Sequence, residues 1–223
     1  MALNIGGLVS FTTVDYPSYF AAVVFLQGCC WRCSYCHNPH LQMLSADGSI
    51  SWEDILNLLR KRINLLEALV FSGGEPLLQE LLPDAVADVK RLGLLVGLHT
   101  AGAEPGMLAK VVSQLDWVGF DVKCRFDEYA IITGIEGSGA KAKKSLKILL
   151  DSGTLMEVRI TLCTQITAEK LMEIIQEISN MGVKGLVLQK CRDKNENIVE
   201  HPVFSDKLFL RKASAYFDRL ETR

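Results

Sequence analysis

No apolar run in this sequence reaches the roughly 18 residues that a membrane-spanning helix requires, so nothing reads as a transmembrane segment. No basic region followed by an apolar stretch opens the chain at "MALNIGGLVSF", and the expectation is a cytoplasmic protein without a secretory signal. Charge of one sign is not in excess. The formal net charge is −2, so composition gives no support to nucleic-acid binding. No short-period repeat, low-complexity tract or linker divides the 223 residues, and a 49% hydrophobic content suffices for one core, so a single domain over 1–223 is expected. A disulfide framework is also missing. Seven cysteines are an odd number, and without a secretory signal clustered thiols more often bind metal or act in catalysis.

What is present is alternation. Apolar runs at 21–27, 67–73, 94–100, 117–123, 155–162 and 184–190 read as strands, the last of these as the final strand. Amphipathic segments at 52–62, 75–93, 104–115, 140–153 and 167–182 read as helices between them, with a terminal helix at about 205–220. Ser51 and Thr167 are expected caps, Gly93 and Gly182 expected stops, and Pro83 an expected break. Strands alternating with helices imply βαβ units and a parallel sheet, either open and doubly wound or curved into an incomplete barrel. Polar residues share one parity on several strands: Gly97 with His99, Gly119 with Asp121 and Lys123, and Glu157 with Arg159 and Thr161. A strand covered by apolar layers on both faces would not alternate so. The pattern suits a lumen that holds a polar ligand, the other reading being strand ends that face solvent.

Four cysteines crowd one loop, "FLQGCCWRCSYCHNPHL", directly after the first of those strands. Cys29, Cys33 and Cys36 form C-x₃-C-x₂-C, and Cys30 offers C-x₂-C-x₂-C instead. Three thiolates in one tight loop fit a [4Fe–4S] cluster with one iron left open for chemistry. The competing reading is a structural zinc site of Cys29, Cys33, Cys36 and His37, but adjacent Cys36 and His37 are awkward joint ligands and no second cysteine pair stands at zinc spacing. The turn "SGGEP", Ser72 to Pro76, follows the next strand. Its glycines allow a ligand close to the backbone, and the two loops should lie side by side at the carboxyl ends of consecutive strands.

Together, Cys29-x₃-Cys33-x₂-Cys36 and Gly73-Gly74-Glu75 resemble the radical S-adenosylmethionine (SAM) superfamily. The finer match, "VDYPSYFAAVVFLQGC" then "CSYCHNP", resembles the activating enzymes of glycyl-radical enzymes, above all those serving anaerobic ribonucleoside-triphosphate reductase. The resemblance runs from about Gly6 to "VLQKC". It implies a curved (β/α)₆ partial TIM barrel, a [4Fe–4S] cluster held by Cys29, Cys33 and Cys36, and SAM chelating the open iron. It implies that Gly73, Gly74 and Glu75 receive the methionyl amino group and that Tyr35 lies near the adenine. Asp121 and Lys123 match a D-x-K that faces SAM, and Arg159 would face SAM or a substrate peptide. The implied chemistry is one-electron reductive cleavage of SAM, followed by removal of a glycine Cα hydrogen on a partner enzyme. The implied electron donor is a flavodoxin or ferredoxin.

The sequence departs from the family in places. Cys30 stands where relatives carry another residue and reads as a bystander. "LHTAG" resembles a D-T-N-G segment, but His99 replaces the aspartate and Ala101 the asparagine. His99 could still bond a ribose hydroxyl, while a cation site is put in doubt; alternatively His99 is a satisfied core histidine. Cys124, Cys163 and Cys191 each follow a strand, which raises either a second site or three ordinary buried cysteines. No cysteine lies between His37 and Ser72, so the extra ferredoxin-like module of some relatives is not expected there. His37 and His40 flank the cysteine loop and could tune a cluster through hydrogen bonds. His201 reads as a turn residue, and the lysines of "AKAKKSLK" as a solvated face that could steer an acidic partner. Two rival functions remain at this point: a radical-SAM enzyme acting on a small molecule such as a deazapurine precursor, and a non-catalytic iron–sulfur or zinc protein.

Overall fold

A computed structural model describes residues 3–44, 48, 50–193 and 197–223. Six parallel strands run in sequence order through one curved sheet: β2 (Ala21–Leu26), β3 (Ala68–Gly73), β4 (Leu95–Thr100), β5 (Trp117–Asp121), β6 (Leu155–Leu162) and β7 (Gly185–Arg192). Each pairs with the next, as short right-handed crossovers favour. The helices between them are α1 (Trp52–Lys61), α2 (Leu82–Arg91), α3 (Pro105–Val111), α4 (Tyr129–Thr133), α5 (Ser138–Ser152) and α6 (Ala168–Asn180). The expected α/β fold with a curved, incomplete barrel is therefore what the chain forms.

The caps follow sequence logic. Ser51 Oγ accepts from Asp54 N at 3.1 Å and Thr167 Oγ1 accepts from Lys170 N at 3.3 Å, each satisfying an orphan N–H at a helix start. Gly93 and Gly182 take φ of 78° and 103° just past their helices, where a side chain would be strained. Apolar stripes such as Ile55, Leu56 and Leu59 of α1 pack on the outer face of the sheet. A smaller apolar cluster fills the inside of the curve: Tyr16, Ala21, Val23, Ala68, Val70 and Trp117.

Four expectations need correction. A strand precedes the first one expected: β1 (Ile5–Thr12) pairs antiparallel with β2. The segment 75–93 is not one helix. A 3₁₀ turn at Pro76–Leu78 precedes α2, and Pro83 lies in the first turn of α2, where its missing N–H costs nothing. The expected last strand is followed by two more, β8 (Ile198–Val199) and β9 (Arg219–Thr222). The terminal helix is short, α7 (Lys207–Ser214), because residues near 220 instead pair in parallel with β7, an arrangement available only through the tertiary fold. His201 serves the turn expected of it: its Nδ1 accepts from Val203 N, and its Nε2–H donates to Ile166 O at 2.7 Å.

Among the described residues β1 pairs with none of β7, β8 and β9, so the curve stays open between β1 and the edge where β8 and β9 flank β7. No helix among them is long and apolar enough to cross a membrane.

Candidate active site

The register of the sheet assembles the site. Leu26 stands opposite Gly73, which sets the cysteine loop after β2 beside the Ser72–Pro76 turn after β3. Asp121 stands opposite Arg159, and Thr161 opposite Gln189. At these carboxyl ends lies a cavity of about 270 Å³. Its wall includes every residue singled out from the sequence as catalytic, cofactor-binding or metal-binding: Cys29, Cys33, Tyr35, Cys36, Gly73, Gly74, Glu75, His99, Asp121, Lys123 and Arg159. The polar parity of the strands faces inward, since Arg159 and Thr161 line this cavity and Glu157 lines a second one at the opposite end of the barrel.

The glycine turn is locked to the cysteine loop through backbone. Gly74 N donates to Leu26 O at 2.9 Å and Glu75 N to Gly28 O at 2.9 Å. A Cβ at Gly74 would run into the Gly28 carbonyl, so only glycine permits this approach. Gly73 holds φ at 118° against the backbone of Leu26. Glu75 is buried and fully engaged: Oε1 accepts from Thr100 Oγ1 at 2.6 Å and Leu77 N at 3.2 Å, and Oε2 accepts from Ala101 N at 3.0 Å. Burial raises its pKa, and these hydrogen bonds oppose the rise.

The far wall is ionic. Asp121 Oδ1 accepts from Arg159 Nε at 2.9 Å and Oδ2 from Lys123 Nζ at 3.1 Å. Burial works against the Asp121 carboxylate, but the two cations prevail and hold its pKa below the usual range. Burial likewise works against the Lys123 ammonium, and Asp121 more than compensates. Gly119 leaves the room that the Arg159 guanidinium occupies.

His99 is the satisfied histidine rather than a free donor. Its Nε2–H donates to the Asp15 carbonyl at 2.9 Å, which leaves Nδ1 to accept from Ser72 Oγ at 3.4 Å. Burial, with Arg159 nearby, lowers its pKa to about 3, so the ring is neutral. No N–H remains for a ribose hydroxyl, and the ring ties the Asp15 backbone to Ser72.

The residues present fit a thiolate-bound iron cluster and an organic ligand. All seven cysteines are free, and Cys29, Cys33 and Cys36 face the shared cavity. Cys30 does not line it. Among the described residues no three His, Cys, Asp or Glu side chains converge tightly enough to hold one metal ion. In the cysteine loop, separate thiols around one cavity suit a several-iron cluster, which takes one thiolate per iron. Burial pushes the Cys29 thiol up to about 12 and raises that of Cys33, so loading metal must displace protons. Tyr35 lines the cavity, and its hydroxyl is buried without a hydrogen-bond partner among the described residues. Cys124, Cys163 and Cys191 are buried and do not line the cavity. His37 lines it, with its pKa lowered by burial.

Sequence reasoning did not single out Asp15, Trp31, Ser72, Thr100 or Gln189 as site residues, yet all five line the cavity. Asp15 sits in the "VDYP" segment of the β1–β2 connection. Gln189 lies in an apolar strand, and only its parity relative to Val187 could have marked it.

The model of the Radical SAM superfamily matches residues 23–187. A protein of Methanocaldococcus jannaschii, whose name assigns it provisionally to the glycyl-radical enzyme activating enzymes, is 33% identical over 187 residues, covering 78% of this chain and 75% of that protein. The pyruvate formate-lyase-activating enzyme of Clostridium pasteurianum is 32% identical over 193 residues, covering 80% of this chain and 78% of that enzyme. Among solved structures, Streptococcus suis SuiB bound to S-adenosylmethionine superposes with a TM-score of 0.69 at 11% identity over 88% of this chain, a likeness of fold. The chain spans about half of that structure, 48%.

Proposed function

This chain belongs to the radical SAM superfamily, among the glycyl-radical-enzyme activating enzymes, and we propose that it installs a glycyl radical on a partner enzyme, anaerobic ribonucleoside-triphosphate reductase. The family's cofactors are a [4Fe–4S] cluster and SAM. One observation carries the reading: the three cysteines, the glycine turn and the Asp121–Lys123–Arg159 group share one cavity of about 270 Å³. The choice of reductase rests on "VDYPSYFAAVVFLQGC" and "CSYCHNP". Pyruvate formate-lyase is the competing partner, because its activating enzyme from C. pasteurianum matches at 32% identity.

In this reading Cys29, Cys33 and Cys36 each hold one iron. When bound, the cluster and SAM together supply a one-electron cleavage that yields methionine and a 5′-deoxyadenosyl radical able to abstract hydrogen. The chain's own residues bind, orient and shield. The backbone of Gly73 and Gly74 would receive the methionyl amino group, while Glu75, already committed to Thr100, Leu77 and Ala101, fixes the turn. Tyr35, which lines the cavity, would lie near the adenine. Lys123, Nζ 5.7 Å from the centre of the Tyr35 ring, and Arg159 present fixed positive charge to SAM carboxylate or substrate, with Asp121 keeping both in place. His99 orients Asp15 and Ser72. A flavodoxin or ferredoxin supplies the electron.

The test is anaerobic. After cluster reconstitution and dithionite reduction, added SAM should yield 5′-deoxyadenosine, with product lost in Cys29→Ala, Cys33→Ala and Cys36→Ala. Absence of product from a wild-type chain with its cluster intact would overturn the reading.

A further inference from the structure

We propose that Thr161 and Gln189 form the subsite that grips the backbone amide of the target glycine segment, an inference that rests on the glycyl-radical reading above. The two residues are direct neighbours across β6 and β7, and both line the cavity. They differ from the other polar side chains that the strands contribute to its wall in having nothing to hold, whereas His37, Asn38 and Gln42 of the cysteine loop are likewise without a side-chain hydrogen bond among the described residues. Glu75, His99, Asp121, Lys123 and Arg159 all have side-chain partners, whereas among the described residues neither Thr161 nor Gln189 has a side-chain hydrogen bond. Thr161 is only 9% exposed. The residue is enclosed, while its hydroxyl stays open to the cavity, where a ligand can reach it.

The chemistry of the pair selects a peptide group. A primary carboxamide carries both a donor and an acceptor, so Gln189 can answer the N–H and C=O of one peptide unit, and the Thr161 hydroxyl adds a rotatable donor or acceptor. Strand addition is not open to such a guest on this side. The outer edge of β7 is already paired, with β9 over Gly185–Leu188 and with β8 at Cys191 and Arg192, and Lys190 N donates to Arg223 O. Recognition there must come from side chains. The position also fits. β7 with its edge partners β8 and β9 borders the open side of the barrel, and Asp15, from the β1–β2 connection on the other border, lines the same cavity. A segment entering between these borders meets Gln189 and Thr161 at the end of the cavity wall remote in strand order from the cysteine loop.

Isosteric variants test this. Thr161→Val and Gln189→Met keep shape and remove hydrogen bonding, and unchanged thermal midpoints establish that they fold. The reconstituted holoenzyme is assayed with peptides copied from the glycine loops of anaerobic ribonucleotide reductase and pyruvate formate-lyase, deuterated at the glycine Cα. Transfer of deuterium into 5′-deoxyadenosine gives KM, and fluorescence anisotropy of the labelled peptide with SAM present gives binding. The expected result is a roughly three- to tenfold rise in both peptide KM and peptide Kd for each variant, with equilibrium SAM affinity retained. Weakened SAM affinity with unaltered peptide binding would assign the pair to the SAM ribose and overturn the proposal, as would wild-type values throughout. Failure of the wild-type holoenzyme to make 5′-deoxyadenosine at all would instead overturn the underlying reading.

Discussion

His99 allows a prediction that can be worked through from its two hydrogen bonds. Its Nε2–H is given to the Asp15 carbonyl and its Nδ1 accepts from Ser72, so the folded protein holds the ring neutral, with pKa near 3 against an ordinary 6.5. The unfolded chain has no such constraint and takes up a proton below pH 6.5. Stability from this residue is therefore complete above that pH and is lost as pH falls from 6.5 towards 3. Each unit in that window costs about 1.4 kcal/mol, so pH 5 should find the fold about 2 kcal/mol weaker on account of His99 alone. Urea unfolding of the cluster-free protein at pH 7.5 and pH 5 measures it, compared with His99→Gln, which keeps an N–H for Asp15 but does not titrate. With a slope near 3 kcal/mol per molar, the wild-type midpoint should fall by about 0.7 M more than that of the variant. His37, also lowered by burial, contributes equally to both proteins and cancels. Equal pH dependence in the two would refute the account of a neutral, fully bonded His99.

Other outcomes follow from the same geometry. Iron bound after reconstitution should fall sharply in Cys29→Ala, Cys33→Ala and Cys36→Ala, and stay at the wild-type level in Cys30→Ala, whose thiol does not line the cavity. Gly74→Ala drives a methyl group into the Gly28 carbonyl; a cost of about 1–3 kcal/mol is expected, read as a lower thermal midpoint together with reduced iron loading. Asp121→Asn leaves Lys123 and Arg159 without their shared carboxylate. A loss of about 3 kcal/mol is expected, a fall of roughly 6–12 °C in Tm by calorimetry, and SAM cleavage should weaken with it.

The parallel strands were legible because their residues repeat a local signal. "AAVVFL" and "ALVFSG" are runs that only a sheet covered by helices buries so completely. The cysteines and glycines that line the shared cavity were legible because their spacing along the chain marks them. The strands that were missed lack such a signal. In "IGGLVSFT" two glycines dilute the apolar pattern, and "RLET" continues an amphipathic segment that favours helix until pairing with β7 decides otherwise. Thr161 and Gln189 come from strands some 28 positions apart, and only the β6–β7 register sets them side by side. The role of His99 was open for the same reason: its partners Asp15 and Ser72 lie 84 and 27 residues away. Nothing local announces that both ring nitrogens are already engaged.

The most direct measurement is electron paramagnetic resonance on the partner itself. The reduced holoenzyme is mixed anaerobically with SAM and, in separate samples, with anaerobic ribonucleoside-triphosphate reductase and with pyruvate formate-lyase, and each sample is frozen for spectroscopy. The account predicts a glycyl-radical signal on the reductase that disappears with Cys33→Ala and when the target glycine is replaced. Abundant 5′-deoxyadenosine with no radical on either partner would contradict it.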